Sequence, residues 1–357
     1  MKRVLIIIPR LDLSGPSKVV YNLVNQMNLN EFDIHLLAIK KSDTPKFKLG
    51  ITKSINIHSL KDLRHVFLRI KKKVNLINPD VIHTHGFSPD FLAFIFFRNY
   101  KKISTIHGDL LQNYSDTYGR IIGFLLSKIQ IKMTNSFNTQ VACSATLAHL
   151  YKNKLTNLKH VDNGTETEYF KPLSKHNKAE LRKKIDYPDG IIFVSISSLI
   201  ERKDPLTIIK AFVKLSLSDS YLIFIGSGPL ELKLRDYTKR YKNIIFLGYS
   251  ENIKDYLCGA DFFVSASQSE GLPNSVLEAQ SCGIPTILSN IPSHRHIFDF
   301  EELSGLEFEV KNVDNLYQVM KNILSMNYDK LSANSRSNAV NRFSSSLMAE
   351  KYSALYK

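Results

Sequence analysis

The chain is predicted to be an α/β protein of two doubly wound lobes, each a parallel sheet flanked by helices. Three observations predict it. Short β-branched runs alternate with amphipathic stretches almost from end to end, as βα units require. The alternation breaks once, over residues 160–189, and then resumes. The length of 357 residues exceeds what one hydrophobic core ordinarily fills. Ligands of such sheets gather at the carboxyl ends of the strands, so two sheets in series predict a cleft between the lobes and direct the search for function to the loops that follow strands.

In the first half, residues 4–8, 34–39, 81–84, 103–106 and 140–143 read as buried strands. Lys2 and Arg3 before an apolar run resemble the start of a signal peptide, but Pro9, Arg10 and Asp12 end the run after five residues, and it reads as the first strand. Over 17–27, Val19, Val20, Leu23, Val24 and Met27 line one face of a helix. Residues 91–97 are apolar and read as a short helix, far below the roughly 18 residues of a membrane span. Asp162, Asn163, Gly164 and Pro172, then a charged stretch to Asp189, read as an interdomain linker. The second series has strands at 191–196, 222–225, 244–247, 262–265 and 285–288, an apolar run at 306–310, and then only helical stretches at 312–325, 328–342 and 345–356. The expected domains are 1–168 and 169–344.

Composition narrows the function classes. With 43% hydrophobic and 23% charged residues and no repeat, the chain has the balance of a globular protein. Cys143, Cys258 and Cys282 are far apart and form no CxxC, which indicates neither a disulfide framework nor a zinc site and suits a reducing cytoplasm. The net charge of +15 is uneven: residues 1–170 carry 24 Lys and Arg against 12 Asp and Glu, the remainder 24 against 21. A basic first half suits nucleic acid, an anionic membrane surface, a polyanionic acceptor or plain solvation. No RNP, KH, zinc-finger or helix-turn-helix signature accompanies it, so nucleic acid is not an expected partner.

The segment 267–282, SQSEGLPNSVLEAQSC, follows an apolar strand and leads into a helix. On a continuous helix Glu270 and Glu278 would stand about 12 Å apart, beyond the roughly 5 to 9.5 Å of a glycosidase pair. They suit the two ends of one extended ligand, since a carboxylate accepts two charge-assisted hydrogen bonds from vicinal hydroxyls. Between them, Gly271 to Asn274 offers backbone N–H groups at a helix N-terminus, a natural anion site. The bare spacing equally suits two surface glutamates on a capped helix. Gly226-Ser-Gly228-Pro229 follows a strand and opens a helix, but Glu231 stands where a dinucleotide fingerprint needs its third glycine, so a dehydrogenase is excluded. That turn is expected to border a base and ribose pocket, with Gly248-Tyr249 on its other side. His83, His85 and His107 sit at strand ends, with His83 and His85 on one strand face, where hydrogen-bonded structure is expected over a metal. No D-x-D metal motif occurs; Asp299-Phe300-Glu301 comes nearest and reads as helix surface, so no metal site is expected.

Glu270-Gly-Leu-Pro-Asn-Ser-Val-Leu-Glu278-Ala followed by Gly283-Ile-Pro285 closely resembles the E-x7-E signature of the retaining glycosyltransferases of family four. The resemblance is collinear over nearly the whole chain: Ser14-Gly15-Pro16-Ser17, Pro79-Asp80-Val-Ile-His83-Thr-His85-Gly86, Thr105-Ile-His107-Gly108, Asn163-Gly164, Glu201-Arg202-Lys203-Asp204, Gly226-Ser-Gly228-Pro229 and Gly259-Ala-Asp261. It implies the GT-B fold, two Rossmann-like lobes with a C-terminal helix, 345–357, crossing back to the first. It implies that Glu270 contacts the donor sugar and Glu278 the ribose, that Gly15 lets a loop approach the donor phosphates, and that His107 contacts the sugar near the reacting centre. Gly271, Leu272 and Pro273 join Gly15 at the phosphates, and Gly226, Gly228 and Gly248 line the nucleotide pocket. Lys203 falls on the position of the lysine that meets the leaving charge. The usual arginine position holds Ser198, and Arg202, able to hold phosphate oxygens bidentately, is expected to cover that gap.

The resemblance therefore implies a retaining, metal-independent hexosyl-type glycosyltransferase using a nucleotide diphosphate sugar, with a UDP-sugar the expected donor, and no cofactor. The expected acceptor is a saccharide or lipid-linked saccharide of bacterial surface polysaccharide synthesis, met in the cytoplasm or at the inner face of an anionic membrane. Two alternatives stay open on the sequence: a nucleotide-sugar epimerase on the same fold, and a catalytically weak donor-binding or partner subunit, which Ser198 motivates.

Overall fold

The computed structural model describes residues 1–12, 14–40, 55–59, 66–299 and 302–357. They form two compact units, residues 1–164 with 345–357, and residues 165–344.

The first unit is built on seven parallel strands, β1 (Lys2–Arg10), β2 (Phe32–Lys40), β3 (Asn56–Ser59), β4 (Val81–His85), β5 (Lys101–Ile106), β6 (Thr139–Ala142) and β7 (Leu158–His160), in the order β3-β2-β1-β4-β5-β6-β7. Val4 pairs with both Ile34 and Val81, which puts the apolar run of β1 at the centre, and Val4 to Ile8 are fully covered. Successive side chains point to opposite faces, so Val4, Ile6 and Ile8 meet Val19, Val20, Leu23 and Val24 of the helix Gly15–Gln26. Leu5 and Ile7 meet Ile70 and Val74 of the helix Val66–Ile77, and Leu92 and Ala93 of the helix Phe87–Phe96. Burying each such side chain is worth about 1.5–3 kcal/mol. The sequence reading lacks β3 and β7 because both are short edge strands of mixed polarity, with Lys159 and His160 exposed.

The last helix, Ser345–Tyr356, belongs to this unit, as expected of the crossing-back helix. Met348, Ala349, Tyr352 and Tyr356 fill the same core face as the first helix.

The second unit has six parallel strands, β8 (Ile191–Ile196), β9 (Ser220–Ile225), β10 (Ile244–Gly248), β11 (Phe262–Ser265), β12 (Thr286–Ser289) and β13 (Gly305–Phe308), in the order β10-β9-β8-β11-β12-β13. Phe193, Phe224, Phe246 and Phe262 join Phe212 of the helix Pro205–Leu215 and Leu316 and Met320 of the helix Val313–Leu324 in one core.

The units part between Gly164 and Thr165, where the sequence reading put the boundary at 168. Gly164 is held to the first unit by Asn22, whose amide donates to its carbonyl at 2.7 Å; the Thr165 N–H donates to the Phe343 carbonyl at 2.8 Å in the second. The charged stretch read as linker is structured. It forms the helix Lys175–Lys184, whose Lys178 and Arg182 reach Asp261 at 2.8 and 2.6 Å, so its cations are anchors. Asp261 also accepts from the Ile192 N–H at 2.8 Å, which gives the Gly-Ala-Asp motif a folding role.

Candidate active site

In the second unit the chain winds outward from β8 to β9 and β10, then returns to place β11 beside β8. The loops leaving β8 and β11 therefore emerge side by side at the switch point, where open α/β sheets bind ligands. The first carries the 3-10 turn Glu201–Lys203, ended by Asp204 in the left-handed conformation at φ 46°, whose carboxylate caps the next helix through the Thr207 N–H and hydroxyl. The second carries Ser267 to Pro273 and leads into the helix Asn274–Ser281. The two are laced by main chain: the Gln268 N–H donates to the Arg202 carbonyl at 2.8 Å, and the Gln268 amide to the Glu201 carbonyl at 3.1 Å.

This lacing brings three of the expected residues together. The Lys203 ammonium donates to Glu270 Oε1, and the Arg202 guanidinium lies 3.5 Å from Glu270 Oε2 while donating to the Ser269 carbonyl. The Ser267 hydroxyl donates to Glu270 Oε1 at 2.7 Å. Burial alone would raise the Glu270 carboxyl, but the charges of Lys203 and Arg202 and these hydrogen bonds outweigh it and hold the group at about 2. Two cations and one carboxylate thus share the switch point, while Ser198 is exposed on the same loop.

Glu270 precedes the helix and Glu278 lies on it, so the two are not on one continuous helix and the 12 Å expectation does not apply. Glu278 is 2% exposed. Of the expected phosphate-binding trio, Gly271 and Leu272 carry N–H groups at the helix start, but Pro273 has none. Its part is its carbonyl, which accepts from Val276 and Leu277 at 3.1 and 3.3 Å. Pro273, at the N-cap, makes no side-chain cap to this helix.

Gly226 and Gly228 are required by the chain itself. A Cβ at Gly226 would stand 2.0 Å from the Ser197 carbonyl oxygen, and one at Gly228 2.4 Å from that of Leu199. The Gly226 N–H donates to the Gly248 carbonyl at 2.8 Å, so all three glycines lie together at the ends of β9 and β10. Gly248 has φ +74° and open space before it.

Two residues that no motif marks also join this site. Ser267 orients Glu270, and its signal is a small hydroxyl residue three positions before the glutamate. His294, fully buried after β12, has Nδ1 2.9 Å from the Ser289 carbonyl, which only accepts, so Nδ1 carries the hydrogen. Burial lowers it to about 4 against the opposing charge of Glu270. Its signal is a histidine in the first turn of the helix Pro292–Phe298 that follows a strand. Of the Asp299-Phe300-Glu301 stretch, Phe300 and Glu301 lie outside the described residues.

In the first unit the switch point falls between β1 and β4. The loop after β1 ends at Ser14, the N-cap, and Gly15 opens the helix; Gly15 is not among the glycines of positive φ. After β4 and β5 come the histidines. His83 Nδ1 is 2.7 Å from the Tyr356 hydroxyl and Nε2 2.8 Å from Thr105 Oγ1, which is 2.8 Å from the Tyr352 hydroxyl. The His83 and His85 ring centroids are 4.2 Å apart, and His85 Nδ1 is 2.8 Å from His107 Nε2. Burial pushes His83 down to about 3 and His107 to about 4, with His85 also well below the usual range, so all three are neutral at pH 7. His83 is committed to the C-terminal helix; His107, just after β5, is bonded to His85. Asp80, of the Pro-Asp-Val-Ile-His motif, accepts from the Arg3 N–H at 2.7 Å and so aligns β1 with β4.

Residues 13–169 match the family described as Glycosyltransferase Family 4, and residues 177–342 the one described as Glycosyl transferases group 1. The chain is 27% identical to the O-antigen biosynthesis glycosyltransferase WclY of Escherichia coli, over 96% of this chain and 94% of that one. It is 25% identical, over the same shares, to the UDP-Gal:alpha-D-GlcNAc-diphosphoundecaprenol alpha-1,3-galactosyltransferase of Escherichia coli. Among solved structures, Anabaena HepE in complex with UDP-glucose superposes with a TM-score of 0.84 at 14% identity, over 99% of each chain, which shows a shared GT-B fold.

Proposed function

The chain belongs to the family-four glycosyltransferases, the two matches together spanning nearly its whole length, and from that premise we propose that it moves a hexosyl group from a UDP-sugar, with retention, to a lipid-linked saccharide of bacterial surface polysaccharide synthesis. The observation that carries the proposal is the convergence of Lys203 and Arg202 on Glu270 at the β8/β11 switch point. A departing diphosphate needs cations already in place, and charge held ready before the reaction is the strongest stabilisation such a site can offer. In this reading Glu270 takes the sugar hydroxyls, Glu278 the ribose, and Gly15 with the Gly271 and Leu272 amides the phosphates. Gly226, Gly228 and Gly248 border the base, and His107, neutral, meets the sugar. The leaving phosphate oxygen itself accepts the acceptor's proton as the new bond forms on the face it leaves, so neither a protein nucleophile nor a metal takes part.

The donor and acceptor classes draw on relatives. HepE was solved with UDP-glucose, one Escherichia coli relative is named for UDP-Gal and a diphosphoundecaprenol acceptor, and another for O-antigen biosynthesis. The test is a thermal-shift screen against UDP-, GDP- and ADP-sugars without metal, repeated with Glu278→Ala. Stabilisation by UDP-sugars alone, lost in the variant, is the expected result. No shift with any nucleotide sinks the reading and favours a donor site altered by Ser198.

A further inference from the structure

The helix Arg120–Thr134 of the first unit is amphipathic in the wrong sense for water. Its buried positions include Gly123, Ser127, Gln130 and Thr134. Its solvent face carries Ile121, Ile122, Phe124, Leu125 and Ile129, exposed by 79, 52, 50, 54 and 46%. The inversion has a cause inside the unit. A Cβ at Gly123 would stand 2.5 Å from the Ser115 backbone nitrogen, so the neighbouring helix Leu110–Tyr118 lies too close for a side chain. Gln130 donates to the buried Asp90 at 2.7 Å and accepts from the Tyr114 hydroxyl. The polar side chains point inward because their partners are there, and the apolar ones are left outside, where a helix of a water-soluble surface carries charge.

The charges on this helix are all positive: Arg120, Lys128 and Lys132, with no acidic residue. The Lys128 ammonium lies over the Phe124 ring, 5.5 Å from its centroid, so an exposed cation sits directly on the apolar face. Fifteen residues rise about 22 Å, too short to span a bilayer core of about 30 Å, and no described helix is long and apolar enough to cross one.

We propose that this face docks on an anionic lipid bilayer, with the helix lying in the plane of the interface. Ile121, Phe124 and Leu125 sink among acyl chains, and Lys128 and Lys132 meet headgroup phosphates. The basic excess of residues 1–170 supplies the long-range attraction that an apolar protein partner would not need. The purpose of the docking rests on the lipid-linked acceptor reading; the geometry of the face does not.

The chain has no tryptophan, so Leu125→Trp gives a single reporter on the face. With phosphatidylglycerol vesicles its emission is expected to shift to shorter wavelength and to be quenched by brominated acyl chains, with neither effect on phosphatidylcholine. The unsubstituted protein sediments with the anionic vesicles, and Ile121→Glu with Leu125→Glu lowers the bound fraction at least tenfold. Lys128→Glu with Lys132→Glu lowers it several-fold and weakens its salt dependence. An unchanged Leu125→Trp emission, or wild-type binding by the double glutamate variant, overturns the proposal. So does a dimer in sedimentation velocity that the double glutamate variant dissociates without any vesicle binding, since a second copy would then cover the face. Stabilisation by UDP is read in the same samples: its presence in the glutamate variants shows that they fold, and its absence in the unsubstituted protein counts against the donor reading alone.

Discussion

Glu270 is a largely covered carboxylate, its side chain 10% exposed, kept ionised by two cations, and that arrangement has measurable consequences. Its folded value of about 2 lies below its ordinary 4.5, so its contribution to stability is full above pH 4.5 and lost as the pH falls from there through about 2. Urea unfolding of the second unit against pH should show this acid limb, and Glu270→Gln should flatten it. Lys203→Ala removes the cation in contact with Glu270 and is expected to lower transfer roughly 10²–10³-fold, as loss of one pre-organised charge donor does elsewhere; a rate within threefold of the unsubstituted enzyme would remove Lys203 from the chemistry. The histidines carry the opposite lesson. Because His83 and His107 titrate near 3 and 4 in the fold but near 6.5 when unfolded, they favour unfolding as the pH drops below 6.5. Their imidazole NMR shifts should stay constant from pH 8 to 5 while exposed histidines titrate; a midpoint near 6.5 for either would contradict the burial.

The loops that hold the site are kept in place by backbone contact, and glycines mark where. Gly226→Ala puts a methyl 2.0 Å from the Ser197 carbonyl on a backbone at φ +134° and is expected to cost about 3 kcal/mol or more; Gly248→Ala faces open space and bears only its positive φ, about 1–2 kcal/mol. Denaturant melts of the pair separate the two causes, and equal losses would mean that the contact at Ser197 relaxes. Most strands were legible because a buried parallel strand is a continuous apolar run, as at Val4 to Ile8 and Ile191 to Ile196. The edge strands β3 and β7 were not, since an edge position needs little hydrophobicity. The helix Lys175–Lys184 was not either: with no buried residue and no apolar face, it is held by Lys178 and Arg182 at Asp261, partners some 80 positions away in the chain.

The chain closes on itself, since its last helix completes the core that its first strand begins. Deleting residues 345–357 removes the four buried hydrophobic side chains Met348, Ala349, Tyr352 and Tyr356 from the first unit, on the order of 5 kcal/mol or more, comparable with the whole stability of a domain. Loss of near-UV circular dichroism from the first unit is the expected outcome; a native spectrum would show that the core closes without the helix. Several features were readable in the residues alone, because each is carried by a local pattern: the α/β class, the family resemblance, and the strand-end loops that present the candidate residues Glu270, Lys203, Arg202 and His107. Apolar period reports burial, and motif spacing reports which side chains a loop presents. What required the fold is whatever depends on two distant segments meeting. Adjacency of β8 and β11 puts Lys203 and Arg202 on Glu270. Adjacency of β4 and β5 and the return of the last helix link Tyr356, His83, Thr105 and Tyr352, with His85 and His107 beside them. Close packing at Gly123 turns the apolar face of the helix Arg120–Thr134 outward. A one-dimensional pattern holds no record of these contacts, because their energy comes from groups as much as 273 positions apart.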